Sequence, residues 1–207
     1  SKSVFAYELI FRDGKGGAYP EHSPEKAQYI EEQFHPLGLD DISGEKSSFI
    51  NFSSETLISR FPTTLDPASV VVELADNPFT DTGLLEACQH IKQLGYRLAI
   101  DDPMMLSARH DILPLIDIVK VDVSRTRFET IEKHIPRYLD ANVRLVAEQV
   151  NTPDHFATCS DLGFDLFQGY FFAQPEARIV RQLPASKMNI VDLMGEVSGD
   201  SFDINRI

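Results

Sequence analysis

The sequence predicts an α/β fold of the modified TIM type, a (βα)8-like barrel of parallel strands with helices around it. Short apolar, β-branched segments alternate with amphipathic helical stretches along nearly the whole chain. Consecutive strands are roughly 20–28 residues apart, which is the length of one βα unit. A doubly wound nucleotide-binding sheet is the alternative, and it requires a glycine-rich turn that leads into a helix after the first strand. Residues 14–17 are rich in glycine, but no helical pattern follows them and the phosphate-loop spacing is absent.

Seven segments have the composition of strands. The central ones are continuous apolar runs, as in parallel strands that are buried on both faces. The predicted strands are residues 4–11, 48–52, 69–74, 97–100, 116–121, 144–147 and 164–167.

Five helical stretches lie between these strands. Thr152 and Ser23 each precede a proline, which is the arrangement of an N-cap followed by the first helical residue. Gly95 and Gly163 follow two of the helices, where a left-handed C-terminal cap is expected. The predicted helices are residues 24–34, 55–61, 82–94, 127–139 and 153–162.

The last segment departs from the βα pattern. After Pro184, a short amphipathic helix is predicted at residues 188–196, followed by a Ser-Gly-Asp turn and another apolar start. We therefore expect a barrel domain at residues 1–183, and a linker with the start of a following domain at residues 184–207.

Composition excludes several classes of function. The 207 residues carry a formal net charge of −13, which argues against a broad nucleic-acid-binding surface, since binding phosphates requires Lys and Arg. No apolar run approaches the length of a membrane span, and no signal peptide opens the sequence. Only two cysteines are present, which favours a reducing, cytoplasmic environment. The six histidines have no spacing typical of a zinc site.

The strand ends carry the functional signal. Parallel barrel strands all open with their carboxyl ends on one face, and active sites are built on that face. A single polar residue there can be explained as a cap or a loop residue, but six consecutive strands with polar ends cannot. These residues are Asn51, Glu73, Asp101 with Asp102, Lys120, Glu148 and Gln168, and Glu8 lies within the first predicted strand.

These residue types indicate a site for hard divalent metal ions. Carboxylate and amide oxygens suit Mg²⁺ or Mn²⁺, whereas zinc sites recruit His or Cys. Converging carboxylates would repel one another without a cation. Asp101 and Asp102 are suited to bridge two ions, and two-metal sites favour phosphoester hydrolysis.

The ordered strand-end motifs resemble the EAL domain, a bacterial cyclic di-GMP phosphodiesterase with a modified TIM barrel. The resemblance begins with the signature at residues 7–12 and extends to about residue 175. Each motif alone is weak, whereas the ordered set is specific. The motifs lie at residues 7–12, 49–53, 72–74, 100–102, 119–122, 147–150 and 168–170.

The resemblance implies a role for each residue. One metal ion would be held by Glu8, Asn51, Glu73 and Asp101, and a second by Asp101 and Asp102. Glu148 would be a metal ligand or the general base for the attacking water, Lys120 would orient or activate that water, and Gln168 would sit beside it. Arg12 would contact a ligand phosphate, and Leu9 belongs to the same ligand-binding group. The implied reaction opens cyclic di-GMP to linear pGpG, and the implied assembly is a homodimer.

Three motifs depart from the family pattern. A flexible Phe-Gly-Thr-Gly segment normally follows the Asp-Asp pair, whereas residues 103–106 are Pro-Met-Met-Leu. The Gly and the second Glu of the family's Ala-Glu-Gly-Val-Glu-Thr motif are Gln149 and Asn151, and the second Glu of its Glu-Leu-Thr-Glu motif is Asp76. The form of the signature, with residues 183–187, is similar to the subgroup in which an HDOD domain follows the EAL domain.

The sequence leaves three hypotheses for function. Retention of the implied site residues favours an active phosphodiesterase, slowed by the altered loop after Asp102. The altered loop and Asn151 favour a catalytically impaired domain that acts as a cyclic di-GMP receptor or a protein-interaction module. Strand-end carboxylates with a lysine also suit metal-assisted enolisation, which rests on fold analogy alone.

Overall fold

The computed structural model describes residues 3–10, 43–44, 46–59, 65–74, 82–101 and 112–172. The chain divides into two compact units, Ser1–Gln174 and Pro175–Ile207, and all of the described residues belong to the first unit. The predicted helices at residues 24–34 and 188–196, the glycine-rich segment and the predicted boundary after residue 183 therefore lie outside the described residues.

The described strands form one parallel sheet whose spatial order follows the chain, from the first strand to the seventh. A doubly wound sheet would instead reverse its strand order at a switch point. The sequential order therefore confirms the barrel-type α/β fold. The strands are β1 (Ala6–Leu9), β2 (Ser47–Phe52), β3 (Val70–Leu74), β4 (Arg97–Asp101), β5 (Ile118–Asp122), β6 (Arg144–Glu148) and β7 (Leu166–Phe167).

Four α-helices connect these strands within the described residues. They are α1 (Ser54–Ser59), α2 (Thr82–Gln93), α3 (Phe128–Asp140) and α4 (Pro153–Asp161), and a short 3₁₀ helix spans Leu113–Leu115. None of the helices in the described part of the chain has the length and apolar character needed to cross a bilayer.

The predicted helix caps form as expected. The Thr152 hydroxyl accepts a hydrogen bond from the His155 N–H at 3.2 Å and so caps the start of α4. Gly95 and Gly163 both have φ of +93°, the left-handed conformation that ends α2 and α4. Ser23, the other predicted cap, lies outside the described residues.

Three strands are shorter or shifted relative to the apolar runs that predicted them. β1 covers only Ala6–Leu9 because its pairing with β2 begins opposite Ser47. β5 begins two residues later than expected because the 3₁₀ turn precedes it and Asp117 accepts a hydrogen bond from the Leu98 N–H at 2.7 Å. β7 is reduced to Leu166–Phe167. Hydrophobicity marks burial, whereas strand bounds depend on where partners pair.

The sheet has two apolar faces, as the continuous apolar strands require. Its outer face packs against helices in one large core, where Leu84 and Cys88 of α2 are almost fully buried. Its inner face carries a second cluster to which each strand contributes one residue. We call this cluster the inner apolar layer; it consists of Ala6, Phe49, Val71, Ala99, Ile118, Val146 and Leu166, with Phe5 packed against it.

The sheet curls until its two edge strands approach each other. Seven strands in a flat sheet would hold β1 and β7 about 29 Å apart, since neighbouring strands lie about 4.8 Å apart. The side chain of Gln168, just after β7, nevertheless donates a hydrogen bond to Glu8 of β1, with 2.6 Å between Nε2 and Oε2. The carboxyl ends of the strands therefore surround a common interior.

Candidate active site

A ring of polar side chains lies one step above the inner apolar layer. Alternate residues of a strand point to the same face, so the residue two positions after each inner apolar residue also faces the interior. Every such position holds a residue that the sequence assigned to the site. We call this ring the polar layer; it consists of Glu8, Asn51, Glu73, Asp101, Lys120, Glu148 and Gln168.

Lys120 lies in the middle of the polar layer. Its Nζ atom is 2.8 and 2.9 Å from the two carboxylate oxygens of Glu73 and 2.8 Å from Oε1 of Glu148. Glu8 is more distant, with its Oε2 atom 3.5 Å from Nζ. The lysine side chain is 3% exposed and lies over the ring of Phe49, which forms the floor below it. Strands β1, β3 and β6 thus direct carboxylates at one cation on β5.

The pKa values of these groups reflect a competition between burial and charge. Burial raises the pKa of Glu73 to about 7, with Lys120 opposing the shift and Glu8 and Asp101 adding to it. Burial also raises the pKa of Glu148, and Lys120 again opposes the shift. For Lys120, burial acts to lower the pKa, but the surrounding carboxylates outweigh it and the net pKa is raised. The lysine is therefore charged at all ordinary pH values, whereas Glu73 binds a proton near neutrality.

The turn after β7 is held against the turn after β6. The Val150 N–H donates to the Gln168 carbonyl at 2.9 Å, and the Phe171 N–H donates to the Val150 carbonyl at 3.2 Å. The two turns are so close that a Cβ atom on Gly169 would lie 2.3 Å from the Val150 carbonyl oxygen. Only glycine fits there, and its position fixes Gln168 next to Glu8.

Asn151 and Gln149, the two departures in the sixth motif, have structural roles in the same turn. The Asn151 side-chain oxygen accepts a hydrogen bond from the Tyr170 N–H at 3.1 Å and so adds a third link between the two turns. Gln149 has φ of +57°, in the left-handed region that glycine occupies without strain. Gln149 therefore adopts a conformation that costs free energy in a residue with a side chain.

Not every predicted residue reaches the polar layer. Arg12 and Asp102 lie outside the described residues, as do Asp76 and the segment at 103–106. Leu9 is half-buried and packs against the outer core, on the face of β1 opposite to Glu8, so its side chain is directed away from the ring. A ligand contact at Leu9 stays a prediction, and the backbone of this residue would have to make it.

Phe49 and Gly169 are two contributors that the sequence hypothesis did not assign to the site. Both were detectable in principle, since Phe49 precedes Asn51 by two residues and Gly169 directly follows Gln168. The rings of Phe171 and Phe172 pack with the ring of Phe156, with centroid distances of 5.9 and 5.6 Å. These two rings belong to an aromatic cluster under the turn.

The arrangement of carboxylates differs from an assembled metal site. Among the described residues, no group of three or more His, Cys, Asp or Glu side chains is placed to hold a metal ion as it stands. The oxygen donors of the polar layer nevertheless suit a hard divalent ion, and Lys120 brings one positive charge to the four carboxylates of the ring. The donor chemistry thus fits a divalent ion, and the contacts observed are those of a lysine-centred ring.

Comparison with known proteins identifies relatives of this chain. A family model for the EAL domain matches residues 32–175, which begins after the signature at residues 7–12. The chain is 35% identical to the cyclic di-GMP phosphodiesterase CdgJ of Vibrio cholerae over its whole length, and it covers 49% of that protein. It thus spans about half the length of the curated relatives that it matches.

Solved structures of EAL proteins share the fold. Klebsiella pneumoniae BlrP1, in a complex with manganese and cyclic di-GMP, matches with a TM-score of 0.63 and 21% identity over 81% of this chain and 51% of that one. Bacillus subtilis YkuI, a protein with an EAL domain in complex with cyclic di-GMP and calcium, matches with a TM-score of 0.62 and 15% identity over 93% of this chain and 56% of that one. Together with the family match over most of the chain, this agreement in fold shows that the chain belongs to the EAL domain family.

Proposed function

We propose that this domain hydrolyses cyclic di-GMP to linear pGpG with the help of divalent metal ions. The observation that carries the proposal is the polar layer, in which strands β1 to β6 and the residue just after β7 each supply one carboxylate, amide or lysine side chain to the same interior end of an EAL barrel. The relatives support it, since CdgJ is a cyclic di-GMP phosphodiesterase and the BlrP1 and YkuI structures contain cyclic di-GMP.

Glu148 is the proposed general base. Its Oε1 atom lies 2.8 Å from the Lys120 ammonium group, which favours the carboxylate over the protonated form. Its side chain is 19% exposed, so water and ligand can approach it. A carboxylate that is held in place and accessible at the mouth of the barrel is able to accept a proton from an attacking water.

Gln168 and Lys120 are proposed to fix the geometry around that water. The Gln168 amide donates to Glu8 across the junction between β7 and β1, so these two residues keep the ring closed. Lys120 presents an ammonium group between Glu73 and Glu148, from which it can orient water or a phosphate oxygen. Positioning of this kind converts a slow encounter into a reaction within a bound complex.

The proposed metal ligands are Glu8, Asn51, Glu73 and Asp101 for one ion, with Asp101 and Asp102 for a second. Four carboxylates share the ring with the single charge of Lys120, so added positive charge stabilises it. When bound, Mg²⁺ or Mn²⁺ supplies positive charge to phosphate oxygens and makes water more acidic. Comparison of hydrolysis in Mn²⁺ and in Mg²⁺ determines which metal is preferred.

Incubation of the protein with cyclic di-GMP and Mn²⁺ or Mg²⁺, followed by chromatography, tests the proposal. We expect pGpG to appear with the parent protein, and to be lost with Glu8→Gln. Glu132→Gln, an exposed glutamate on α3, is the matched control and should retain activity. Intact cyclic di-GMP in every metal, under conditions where the protein is folded, would reject hydrolysis.

A second function is favoured by the altered sixth motif. Asn151 holds the Tyr170 backbone, where the family has a glutamate, and residues 103–106 lack the family's glycines. A domain with these changes could bind cyclic di-GMP without turnover. Calorimetry with Ca²⁺ distinguishes the two functions, because saturable binding without pGpG formation in Mn²⁺ would identify a receptor.

The wider organisation of the protein is also proposed from sequence resemblance. An HDOD-like domain after residues 184–207, a barrel boundary at residue 183 and a homodimer agree with the subgroup that the signature resembles. The greater length of the curated relatives is compatible with an additional domain. Light scattering of the natural full-length protein would test the dimer directly.

A further inference from the structure

The ammonium group of Lys120 lies among the carboxylates of the polar layer. Its Nζ atom contacts both oxygens of Glu73, at 2.8 and 2.9 Å, and one oxygen of Glu148, at 2.8 Å. The side chains of Lys120 and Glu73 are 3% and 4% exposed, so water screens this pair little. Glu8 is the third carboxylate nearby, at 3.5 Å.

The buried lysine and the buried carboxylates are stable only when they are present together. A buried lysine without a partner and a buried carboxylate without a partner are each strongly unfavourable. Several carboxylates that point at one another also raise each other's free energy in the charged state. The ammonium group of Lys120 reduces all of these costs together, because it lies between the carboxylates of β3 and β6.

The hydrogen bonds between Lys120 and Glu73 affect how a metal ion can bind. Both of its carboxylate oxygens are hydrogen-bonded to the same ammonium group, so an ion that approaches Glu73 meets a positive charge within 3 Å of either oxygen. An ion that uses Glu73 must displace the lysine from at least one oxygen or bind beside a like charge. Either event weakens metal binding.

We infer that Lys120 is an internal counter-ion that holds the polar layer together without metal and competes with a divalent ion for Glu73. This inference deepens the proposed function, on which it rests only in taking a divalent ion as the ligand of Glu73. It assigns the lysine a role in folding and metal affinity that is separate from any contact with water or phosphate.

The test compares Lys120→Met with a matched control, Lys92→Met. Methionine keeps the length of the side chain and removes the charge. Lys92 of α2 also forms an ion pair, with 2.7 and 2.6 Å from its Nζ to the two oxygens of Asp117, but this pair is about one-third exposed and lies outside the ring. For each protein, thermal unfolding is followed in EDTA and in MnCl₂, and Mn²⁺ affinity is measured by calorimetry.

We expect Lys120→Met to unfold at a lower temperature than the parent in EDTA and to gain more stability from Mn²⁺. Removal of one positive charge next to Glu73 should tighten Mn²⁺ binding by about tenfold or more, since interaction energies at this distance exceed the equivalent of one tenfold step. Lys92→Met should show a small loss of stability with an unchanged response to Mn²⁺. Lys120→Arg, which keeps the charge, should bind Mn²⁺ about as the parent does.

Equal or weaker Mn²⁺ binding by Lys120→Met would overturn the inference, as would unchanged stability in EDTA. If Lys120→Met does not fold even with Mn²⁺, Glu73→Gln is compared with the double variant Glu73→Gln/Lys120→Met, in which neither partner is charged. The double variant must then bind Mn²⁺ more tightly than Glu73→Gln, and the reverse order rejects competition.

The outcome is independent of the hydrolysis assay. A parent protein that hydrolyses cyclic di-GMP while Lys120→Met gains no Mn²⁺ affinity would leave the proposed function standing and refute the counter-ion. Tighter Mn²⁺ binding by Lys120→Met in a protein that never produces pGpG would do the opposite.

Discussion

The inner apolar layer and the polar layer lie on the same strands and the same face, two residues apart, and yet have opposite chemistry. Val71 and Glu73 illustrate this on β3, where both are buried but one is apolar and the other is ionisable. Val71 needs only neighbours of the right volume, whereas Glu73 needs Lys120 at hydrogen-bond distance. The inner apolar layer therefore stabilises the barrel. The polar layer lowers that stability, because charged groups are held close together in it.

The comparison shows why the site stands where it does. A buried carboxylate is tolerated only if the surrounding structure forces it into place and supplies compensating charge. The layer of Phe49, Ala99 and Ile118 below the ring provides a packed floor, and strand alternation then directs the next residue of each strand to the same side. The polar layer thus stands directly on a packed apolar layer.

The largest expected difference between the layers is in stability. Ile118 is 1% exposed within the inner apolar layer, and Ile118→Ala should lower the free energy of unfolding by about 3–4 kcal/mol, through lost burial and a new cavity. Gln168→Ala, in the polar layer, should lower it by less than about 1 kcal/mol while reducing hydrolysis at least tenfold. Urea unfolding in EDTA and pGpG formation measure the two effects. The same pattern for both variants would remove the distinction between the layers.

The next prediction concerns the pH dependence of metal-free stability. Glu73 has a pKa of about 7 in the folded protein, above its ordinary value of 4.5, so folding favours its protonated form. The stability that this group contributes is fully present below pH 4.5 and is lost as pH rises through 7. The loss is on the order of 3 kcal/mol.

Glu73→Gln should abolish this part of the pH dependence. The difference in unfolding free energy between the parent and Glu73→Gln should therefore move in favour of the variant between pH 5 and pH 8, measured by urea unfolding in EDTA. Glu132→Gln, in which an exposed carboxylate is neutralised, should follow the parent across the range. A constant difference between the parent and Glu73→Gln would show that Glu73 does not titrate in this interval.

Sequence reasoning succeeded where a single physical rule decides the outcome. The continuous apolar strands predicted a parallel sheet, and the positions of Glu73, Lys120 and Glu148 at strand ends predicted that they would meet. The caps at Thr152 and Gly163 followed from local backbone chemistry. These features depend on periodicity or on a few neighbouring residues, which a sequence displays directly.

Other features depend on contacts between distant parts of the chain. The contact between Gln168 and Glu8 joins residues 160 positions apart, and only the curl of the sheet brings them together. The role of Asn151 was invisible for the same reason, since its partner is the backbone of Tyr170. The start of β5 also differed, because the apolar residue Ile116 caps the preceding 3₁₀ helix, where its N–H donates to the Leu113 carbonyl. Composition does not reveal such three-dimensional proximity.

The turns that link the two edges of the polar layer give a third prediction. A Cβ atom on Gly169 would lie within 2.3–2.7 Å of three backbone atoms of Val150, and backbone cannot move aside as a flexible side chain can. Gly169→Ala should therefore lower stability by about 2 kcal/mol or more and displace Gln168 from Glu8, with a loss of hydrolysis. Unfolding and pGpG assays measure both.

Gly163→Ala is the control for this variant. Gly163 also has a positive φ, but a Cβ atom there meets nothing within 4 Å. The substitution should cost only the conformational strain, about 1–2 kcal/mol, and should leave hydrolysis unchanged in folded protein. Equal loss of activity in both variants would show that general destabilisation, and not the position of Gln168, controls the reaction.

The smallest expected effect comes from a polar residue outside both layers. Ser48 of β2 is fully buried, and its hydroxyl has no hydrogen-bond partner among the described residues. A buried hydroxyl without a partner destabilises the folded state, so Ser48→Ala should raise the free energy of unfolding by up to about 1 kcal/mol.

Ser53 is equally buried, but its hydroxyl contacts the Thr56 hydroxyl at 2.9 Å and accepts the Thr56 N–H at 3.2 Å at the start of α1. Ser53→Ala should therefore lower stability by about 1 kcal/mol, and urea unfolding of both variants would show opposite signs. A loss of stability in Ser48→Ala would mean that this hydroxyl has a partner, and that polar groups in this barrel are buried only where they are satisfied.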